Sequence, residues 1–231
     1  MSIWKPWDYK RFHRVSAGES HGYRLKSSYG KVRIVHHGYT VSHPPPHDAL
    51  ICQTAAAVIR AFTVGAGEPI PFLDEVFAAC GTQVDYEVEL KGFTDEFLST
   101  VLEVVKRRGL FPRIEFTSPH PFLLAHLRAR EPTAQIGLFV TPFPRWMSVT
   151  LGMALLLGNL TLGRFNEAHC PIAMFNPTIV ETLRAQHVRV HAANCNTEGA
   201  LAQAFTLEVD QLSTDEVALA HVIRERVQGR A

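Results

Sequence analysis

Apolar and charged positions alternate strictly in the segment "VDYEVELKG", residues 84–92. Successive side chains of a β-strand point to opposite faces, so this alternation predicts a strand with one apolar face and one charged face. The charged face carries three carboxylates and one ammonium group, which belong to Asp85, Glu87, Glu89 and Lys91. Such a face either is exposed to water or lines a functional site.

Extended and helical patterns alternate at least five times after Ile70. Alternation of this kind is typical of a parallel sheet with crossover helices. No glycine-rich dinucleotide motif, P-loop or G-x-S-x-G elbow follows any predicted strand. The pattern therefore favours an α/β fold of the TIM-type (β/α) barrel class. The predicted strands are 84–92, 113–117, 135–140, 169–175, 188–194 and 209–214, and the predicted helices are 70–80, 94–109, 121–130, 177–187, 197–207 and 215–227.

In a barrel, the charged face of the strand 84–92 is expected to line the functional site. Residues at the carboxyl ends of barrel strands build the functional site, and Glu89 and Lys91 lie at that end of their strand. Glu87 lies one layer deeper. Parallel strands are normally covered on both faces, which favours a site over a face exposed to water.

Length and composition agree with one globular domain. The 231 residues are enough for a single barrel, residues 1–231, in which 38–69 is predicted to be a loop or insertion. The formal net charge is +1, so the sequence gives no electrostatic support for nucleic-acid binding. None of the four cysteines forms a C-x-x-C pair, and the start of the chain has no apolar signal-peptide core. A cytoplasmic protein with reduced thiols is expected.

One uncharged segment, "WMSVTLGMALLLGNLTL", spans 146–162 between Arg145 and Arg164. Its length is at the lower limit for a membrane span, which is roughly 17 to 25 residues. The favoured interpretation is a buried barrel helix that passes through a Gly-Asn turn at Gly158 and Asn159 into a strand; a membrane span is the alternative.

Five motifs resemble, in the same order, those of the glycerophosphodiester phosphodiesterases. "GKVRIVHH" is similar to that family's D-G-x-(V/P)-V-V-x-H-D strand, "IPFLDEVF" to its I-P-T-L-E-E-V-L helix, and "EVELKG" to its N-I-E-I-K-G strand. "TSPHPFLLAHLRAREPTAQIGLF" and "VRVHAANCNTEGALAQAFTLEVDQLSTD" resemble the later S-F-D-P and V-x-V-W-T-V-N motifs. The resemblance covers roughly 30–226.

The resemblance implies a TIM-like barrel that hydrolyses glycerophosphodiesters to glycerol 3-phosphate and an alcohol with a bound divalent cation. By position, Glu89 matches a metal ligand, Lys91 a residue near the phosphate, and His36 the general acid of an H-D motif. The H-R-G motif has its nearest candidate in His13 and Arg14. Mg²⁺ or Ca²⁺ is the expected ion because hard cations prefer carboxylate oxygens.

The sequence departs from the family pattern in its first forty residues. The family's E-L-D positions fall on His21, Gly22 and Tyr23, so two expected carboxylates are absent. The Asp partner of His36 is replaced by His37. Too few residues separate the H-R-G candidate from the strand before His36 for a full crossover, so the first βα unit is expected to be truncated or irregular.

Other side chains could complete the site. Glu19 follows "HRVSAG" and is a candidate metal ligand, as is Glu87, while Asn194 at a predicted strand mouth could bind a hydroxyl or phosphate. The segment "HHGYTVSHPPPH" offers imidazoles, which would favour Zn²⁺, or is a surface loop.

Two functions from different classes remain open. The first is a metal-assisted phosphodiesterase of lipid metabolism that acts on a small phosphodiester with a histidine as general acid or base. The second is a catalytically inactive barrel, a binding or regulatory protein that retains a phosphate-binding mouth, because the E-L-D carboxylates are absent. Neither the oligomeric state nor the alcohol group is indicated by the sequence.

Overall fold

The computed structural model describes residues 24–27, 33–35, 40–42, 48–50, 54–64 and 67–229. The chain divides into two compact units, Met1–Glu115 and Phe116–Ala231. The single-domain organisation deduced from the sequence is not tested by this division and stays a prediction.

The first unit combines short hairpins with the regular strand and helices that surround the charged segment. Residues 38–69 were expected to form a loop or insertion. The described parts of this segment form short strands and one short helix. The strands are β1 (Arg24–Ser27), β2 (Arg33–Val35), β3 (Thr40–Ser42), β4 (Asp48–Leu50), β5 (Thr63–Val64), β6 (Glu68–Pro69) and β7 (Tyr86–Leu90). The helices are α1 (Ala56–Ile59), α2 (Leu73–Cys80) and α3 (Asp95–Arg107).

β7 is paired with the start of the chain. β1 runs parallel to β7, with Leu25 opposite Leu90, and antiparallel to β2, with Leu25 opposite Val35. A parallel connection between β1 and β2 would need a crossover of about a dozen residues, but the five positions from 28 to 32 allow only a hairpin. The start of the chain is therefore irregular for a barrel, as the spacing predicts.

The second unit repeats strand and helix. β8 (Ile114–Ser118) contains the boundary between the units, and the sheet of the second unit has the order β12-β11-β10-β9-β8. β9, β10, β11 and β12 pair in parallel. The other strands are β9 (Gln135–Phe139), β10 (Glu167–Pro171), β11 (Arg189–Ala193) and β12 (Gln211–Leu212), and the helices are α4 (Pro121–Arg130), α5 (Val149–Gly163), α6 (Pro177–Ala185), α7 (Glu198–Thr206) and α8 (Val217–Val227).

The interpretation of the apolar run was wrong in two respects: the helix was expected to be buried but has an exposed apolar side, and it contains no Gly-Asn turn. α5 continues without a break through Gly158 and Asn159 and ends where Arg164 adopts a left-handed conformation (φ 50°). The expected Gly-Asn turn and following strand do not form, because Leu156 and Leu160 lie one turn apart on the buried side and hold the helix against its unit. No helix in the described part of the chain has the length and hydrophobicity that a membrane crossing requires.

Candidate functional site

The carboxyl end of β7 buries a pair of opposite charges. Lys91 Nζ lies 3.3 Å from Glu89 Oε1, and the two side chains are 2% and 7% exposed. Desolvation of a buried ion pair costs several kcal/mol per ion, and the attraction between the two charges offsets this cost only when their geometry is good. The charged face predicted from the sequence is therefore enclosed rather than solvated at its carboxyl end. A buried carboxylate–ammonium pair at that end of a strand is typical of a functional site.

The residues that follow β7 hold this pair in place. Gly92 approaches the buried ring of Phe97 so closely that a Cβ on it would lie 2.5 Å from Phe97 Cγ. Thr94 Oγ1 accepts a hydrogen bond from Phe97 N at 3.1 Å and caps α3 as the sequence predicts. A tight glycine contact and a helix cap thus fix the backbone directly after Lys91.

The other candidates from the first part of the chain divide into two groups. Glu87 is half-buried in β7, two positions before Glu89 and on the same face of the strand. The positions of four candidates lie outside the described residues, and their assignment stays a prediction. These four are His13, Arg14, Glu19 and His36.

Asn194, the candidate at the mouth of β11, is exposed and has a left-handed backbone conformation (φ 63°). Asparagine tolerates that conformation better than most residues, so its presence has a backbone explanation. Close by in sequence, Asn196 and Asp215 exchange two hydrogen bonds of 2.8 Å and fasten the end of β11 to the segment before α8. The carboxyl end of this strand is therefore rigidly connected.

Sequence reasoning missed a second buried polar cluster, inside the second unit. Glu167 is fully buried, and its Oε2 lies 3.1 Å from Arg189 Nη1. His169 and His191 are also buried, and their ring centroids are 4.0 Å apart. The strand register sets Glu167 opposite Arg189 and His169 opposite His191. The same two-residue alternation that identified β7 is present in "EAHCP" and "RVHAA" and could have predicted this cluster.

Both imidazoles of the cluster are neutral. Burial lowers the pKa of His169 to about 3 and holds the pKa of His191 well below its usual 6.5, with the Arg189 charge acting in the same direction. Their nitrogens lie 3.9 Å and 3.7 Å from Glu167 Oε1, longer than a hydrogen bond. Arg189, rather than a protonated histidine, is therefore the charge that balances Glu167.

Each unit contains side chains that are able to ligate a metal ion. Glu87 and Glu115 are such groups in the first unit, and Glu167, His169 and His191 in the second. In the first unit the carboxylates of Glu87 and Glu89 are the hard oxygen donors that Mg²⁺ and Ca²⁺ prefer. The donor chemistry of β7 thus fits a divalent cation, although two carboxylates from one strand do not complete a coordination sphere.

An apolar pocket opens at the carboxyl end of β9. It has a volume of about 220 Å³, and its walls include Phe139, Phe143, Met147 and Leu155. The pocket and the start of α5 therefore lie at the end of the sheet where barrel proteins bind their ligands.

Several solved structures that are similar to this chain are described as glycerophosphodiester phosphodiesterases. A structure described as a glycerophosphoryl diester phosphodiesterase from Agrobacterium tumefaciens matches with a TM-score of 0.79 and 19% identity over 93% of this chain and 89% of that one. An Oleispira antarctica phosphodiesterase in complex with the product sn-glycerol-3-phosphate matches with a TM-score of 0.71 and 19% identity, over 90% and 83%. A Thermotoga maritima glycerophosphodiester phosphodiesterase matches with a TM-score of 0.68 and 19% identity, over 88% and 84%. No family model and no curated protein matches the chain.

This likeness confirms the predicted fold, the TIM-type (β/α) barrel class, and agrees with the resemblance in the sequence motifs. The identity is too low to transfer an activity or a site residue from those proteins to this chain.

Proposed function

We propose that this protein is a glycerophosphodiester phosphodiesterase-like hydrolase that cleaves a phosphodiester to glycerol 3-phosphate and an alcohol. The observation that carries the proposal is the buried Glu89–Lys91 pair at the carboxyl end of β7. Its chemistry suits a phosphate ester, since an enclosed ammonium group attracts a phosphate oxygen more strongly than one in water does. The fold and the Oleispira product complex support the same substrate class.

In this proposal Glu89 is the principal metal ligand, with Glu87 and Glu19 as further carboxylates and Mg²⁺ or Ca²⁺ as the ion. When bound by these carboxylates, such a cation would supply Lewis-acid polarisation of the phosphoryl group and would offset developing negative charge there. Lys91 and Arg14 hold the phosphate oxygens, and Asn194 binds a hydroxyl of the substrate.

The histidines move protons. Water forms the new bond to phosphorus while the bond to the alcohol oxygen breaks. His36 donates a proton to the departing alkoxide, and His13 accepts one from the attacking water, which imidazoles do near neutral pH.

The absence of the E-L-D carboxylates at His21, Gly22 and Tyr23 favours a second function, an inactive barrel that still binds phosphate esters. Such a protein would use Lys91 in the same way without turning over its ligand.

A hydrolysis assay separates the two functions. The purified chain is incubated with glycerophosphocholine and Mg²⁺, Ca²⁺ or Zn²⁺, and glycerol 3-phosphate is measured. The wild type is expected to release it, and Glu89→Gln to lose at least about a hundredfold in kcat/KM, in line with removal of a ligand that steadies transition-state charge. Glu103→Gln, at an exposed position of α3, is the control with normal activity. If no glycerol 3-phosphate is released with any of the three metals, the proposed hydrolase activity is contradicted and the inactive phosphate-binding barrel is favoured.

A further inference from the structure

The α5 face is an apolar surface of the described residues that the proposed function does not use. We define it as the exposed side of α5 formed by Leu151, Leu155 and Leu162, together with Trp146 just before the helix. These side chains are 48%, 51%, 87% and 79% exposed. The three leucines recur at helical spacing and lie along one stripe.

The opposite side of the same helix is the one that packs against the second unit. Leu156 and Leu160 are buried there, at 4% and 2% exposure. α5 therefore has two apolar sides and no charged residue between Val149 and Gly163. A helix that is apolar all round is normally covered on all sides, so the α5 face is expected to have an occupant.

The charges around α5 indicate what that occupant is. No acidic residue occurs from 132 to 166, while exposed Arg145 and Arg164 stand at the two ends of the uncharged segment. Arginine next to an exposed tryptophan, with leucines between the two ends, is the arrangement that suits a membrane interface, where the ring lies among the headgroups and the cation meets lipid phosphates.

The length of the helix restricts it to that interface. Fifteen residues at about 1.5 Å each give roughly 22 Å, less than the roughly 30 Å of a bilayer's hydrocarbon core. The backbone polar groups of a helix are bonded internally, so shallow insertion leaves none of them unsatisfied.

A second copy of the chain fits this surface less well. Two α5 faces packed about a two-fold axis in antiparallel fashion would bring Arg145 of one copy near Arg164 of the other, and like charges at an interface disfavour association. A lipid surface with negative headgroups has the opposite effect.

We propose that the α5 face docks the protein on an anionic phospholipid surface. Docking would bring the pocket at the carboxyl end of β9 to the lipid, because Leu155 belongs both to the face and to the pocket wall. The inference concerns binding only and does not depend on turnover, so it can fail or hold independently of the proposed function.

Co-sedimentation of the full chain with vesicles tests the proposal. Vesicles of phosphatidylcholine mixed with phosphatidylglycerol are expected to bind the protein, more weakly as salt is raised, and pure phosphatidylcholine vesicles to bind it less. Leu151→Gln with Leu155→Gln should weaken the partition on the order of tenfold or more, because each leucine loses its apolar transfer into the bilayer. Val222→Gln, an exposed residue of α8, is the control with unchanged binding.

Two further measurements make the result decisive. Brominated lipid should quench the wild-type tryptophan fluorescence more than that of Trp146→Phe, and thermal unfolding should show that all variants remain folded. The proposal is overturned if the wild type does not sediment with anionic vesicles, or if the leucine variants sediment like the wild type. It is also overturned if ultracentrifugation shows a dimer that the leucine substitutions dissociate while vesicles are not bound.

Discussion

At the scale of single residues, Glu89 and Lys91 carry a large electrostatic cost, because both charges are buried at the carboxyl end of β7. Removal of one partner leaves an uncompensated buried charge, which costs about 3–5 kcal/mol, whereas removal of both does not. We therefore expect Glu89→Gln and Lys91→Met each to lower the free energy of unfolding strongly, and the double variant to recover much of it. Urea unfolding of the four proteins measures the coupling. Additive effects would mean that the two side chains do not interact.

A second prediction concerns the buried histidines of the second unit. Their lowered pKa values mean that the unfolded chain binds protons at a pH where the folded chain does not. Stability is therefore fully present above about pH 6.5 and falls as the pH drops toward about 3, with a slope of up to about 1.4 kcal/mol per pH unit for each histidine. We expect His169→Gln to show a shallower fall in urea unfolding between pH 7 and 5. Exposed His126→Gln should keep the wild-type slope, and an unchanged slope in His169→Gln would refute the assignment.

The sequence predicted part of this residue-scale description. Strict alternation identified Glu89 and Lys91, because charged side chains in a strand that is covered on both faces are costly to bury and therefore indicate a functional site. The same alternation includes Glu167, His169 and His191, but each of their strands has only two polar positions, so the pattern was not distinguished from that of an ordinary strand. Which buried groups meet depends on strand register, which a single sequence does not specify.

At the scale of secondary-structure elements, the turn from β7 into α3 has little space for an added side chain. A Cβ at position 92 would lie 2.5 Å from Phe97 Cγ, and the Phe97 ring is fully buried and has no room to move. We expect Gly92→Ala to lower the free energy of unfolding by about 1–3 kcal/mol through overpacking and to weaken any activity that depends on Lys91. Thermal unfolding and the hydrolysis assay measure the two effects.

Gly199→Ala provides the matched control, since nothing lies within 4 Å of a Cβ at that position in α7. It should leave stability unchanged or raise it by up to about 1 kcal/mol, because alanine loses less backbone freedom on folding. Equal stability of the two variants would show that the contact between position 92 and Phe97 does not constrain the turn.

Helices with strong end signals were predicted well, and α5 was not. Thr94 caps α3 and Pro121 and Pro177 begin α4 and α6, as their local chemistry requires. In α5 the Gly158-Asn159 pair is a turn signal by local preference, but the packing of Leu156 and Leu160 outweighs it. Tertiary burial of this kind is not visible in a short window of sequence.

At the scale of the whole molecule, the barrel class was predictable because repeated strand–helix alternation admits few architectures. The short spacing predicted an irregular first βα unit, but it did not predict the antiparallel pairing of β1 with β2 that the structure shows. The metal ligand set of Glu19, Glu87 and Glu89 stays a prediction. The candidates His13, Arg14, Glu19 and His36 lie outside the residues that the structure describes.

Calorimetric titration with glycerol 3-phosphate tests the central claim, a phosphate-binding mouth at Glu89 and Lys91, whether or not the protein turns over a substrate. We expect the wild type to bind the ligand and Lys91→Met to lose affinity on the order of tenfold or more, because an enclosed ammonium group is removed from an anion. Lys106→Met, at an exposed position of α3, should bind like the wild type. Binding by folded Lys91→Met with wild-type affinity, or no binding by the wild type at millimolar ligand, would contradict the account.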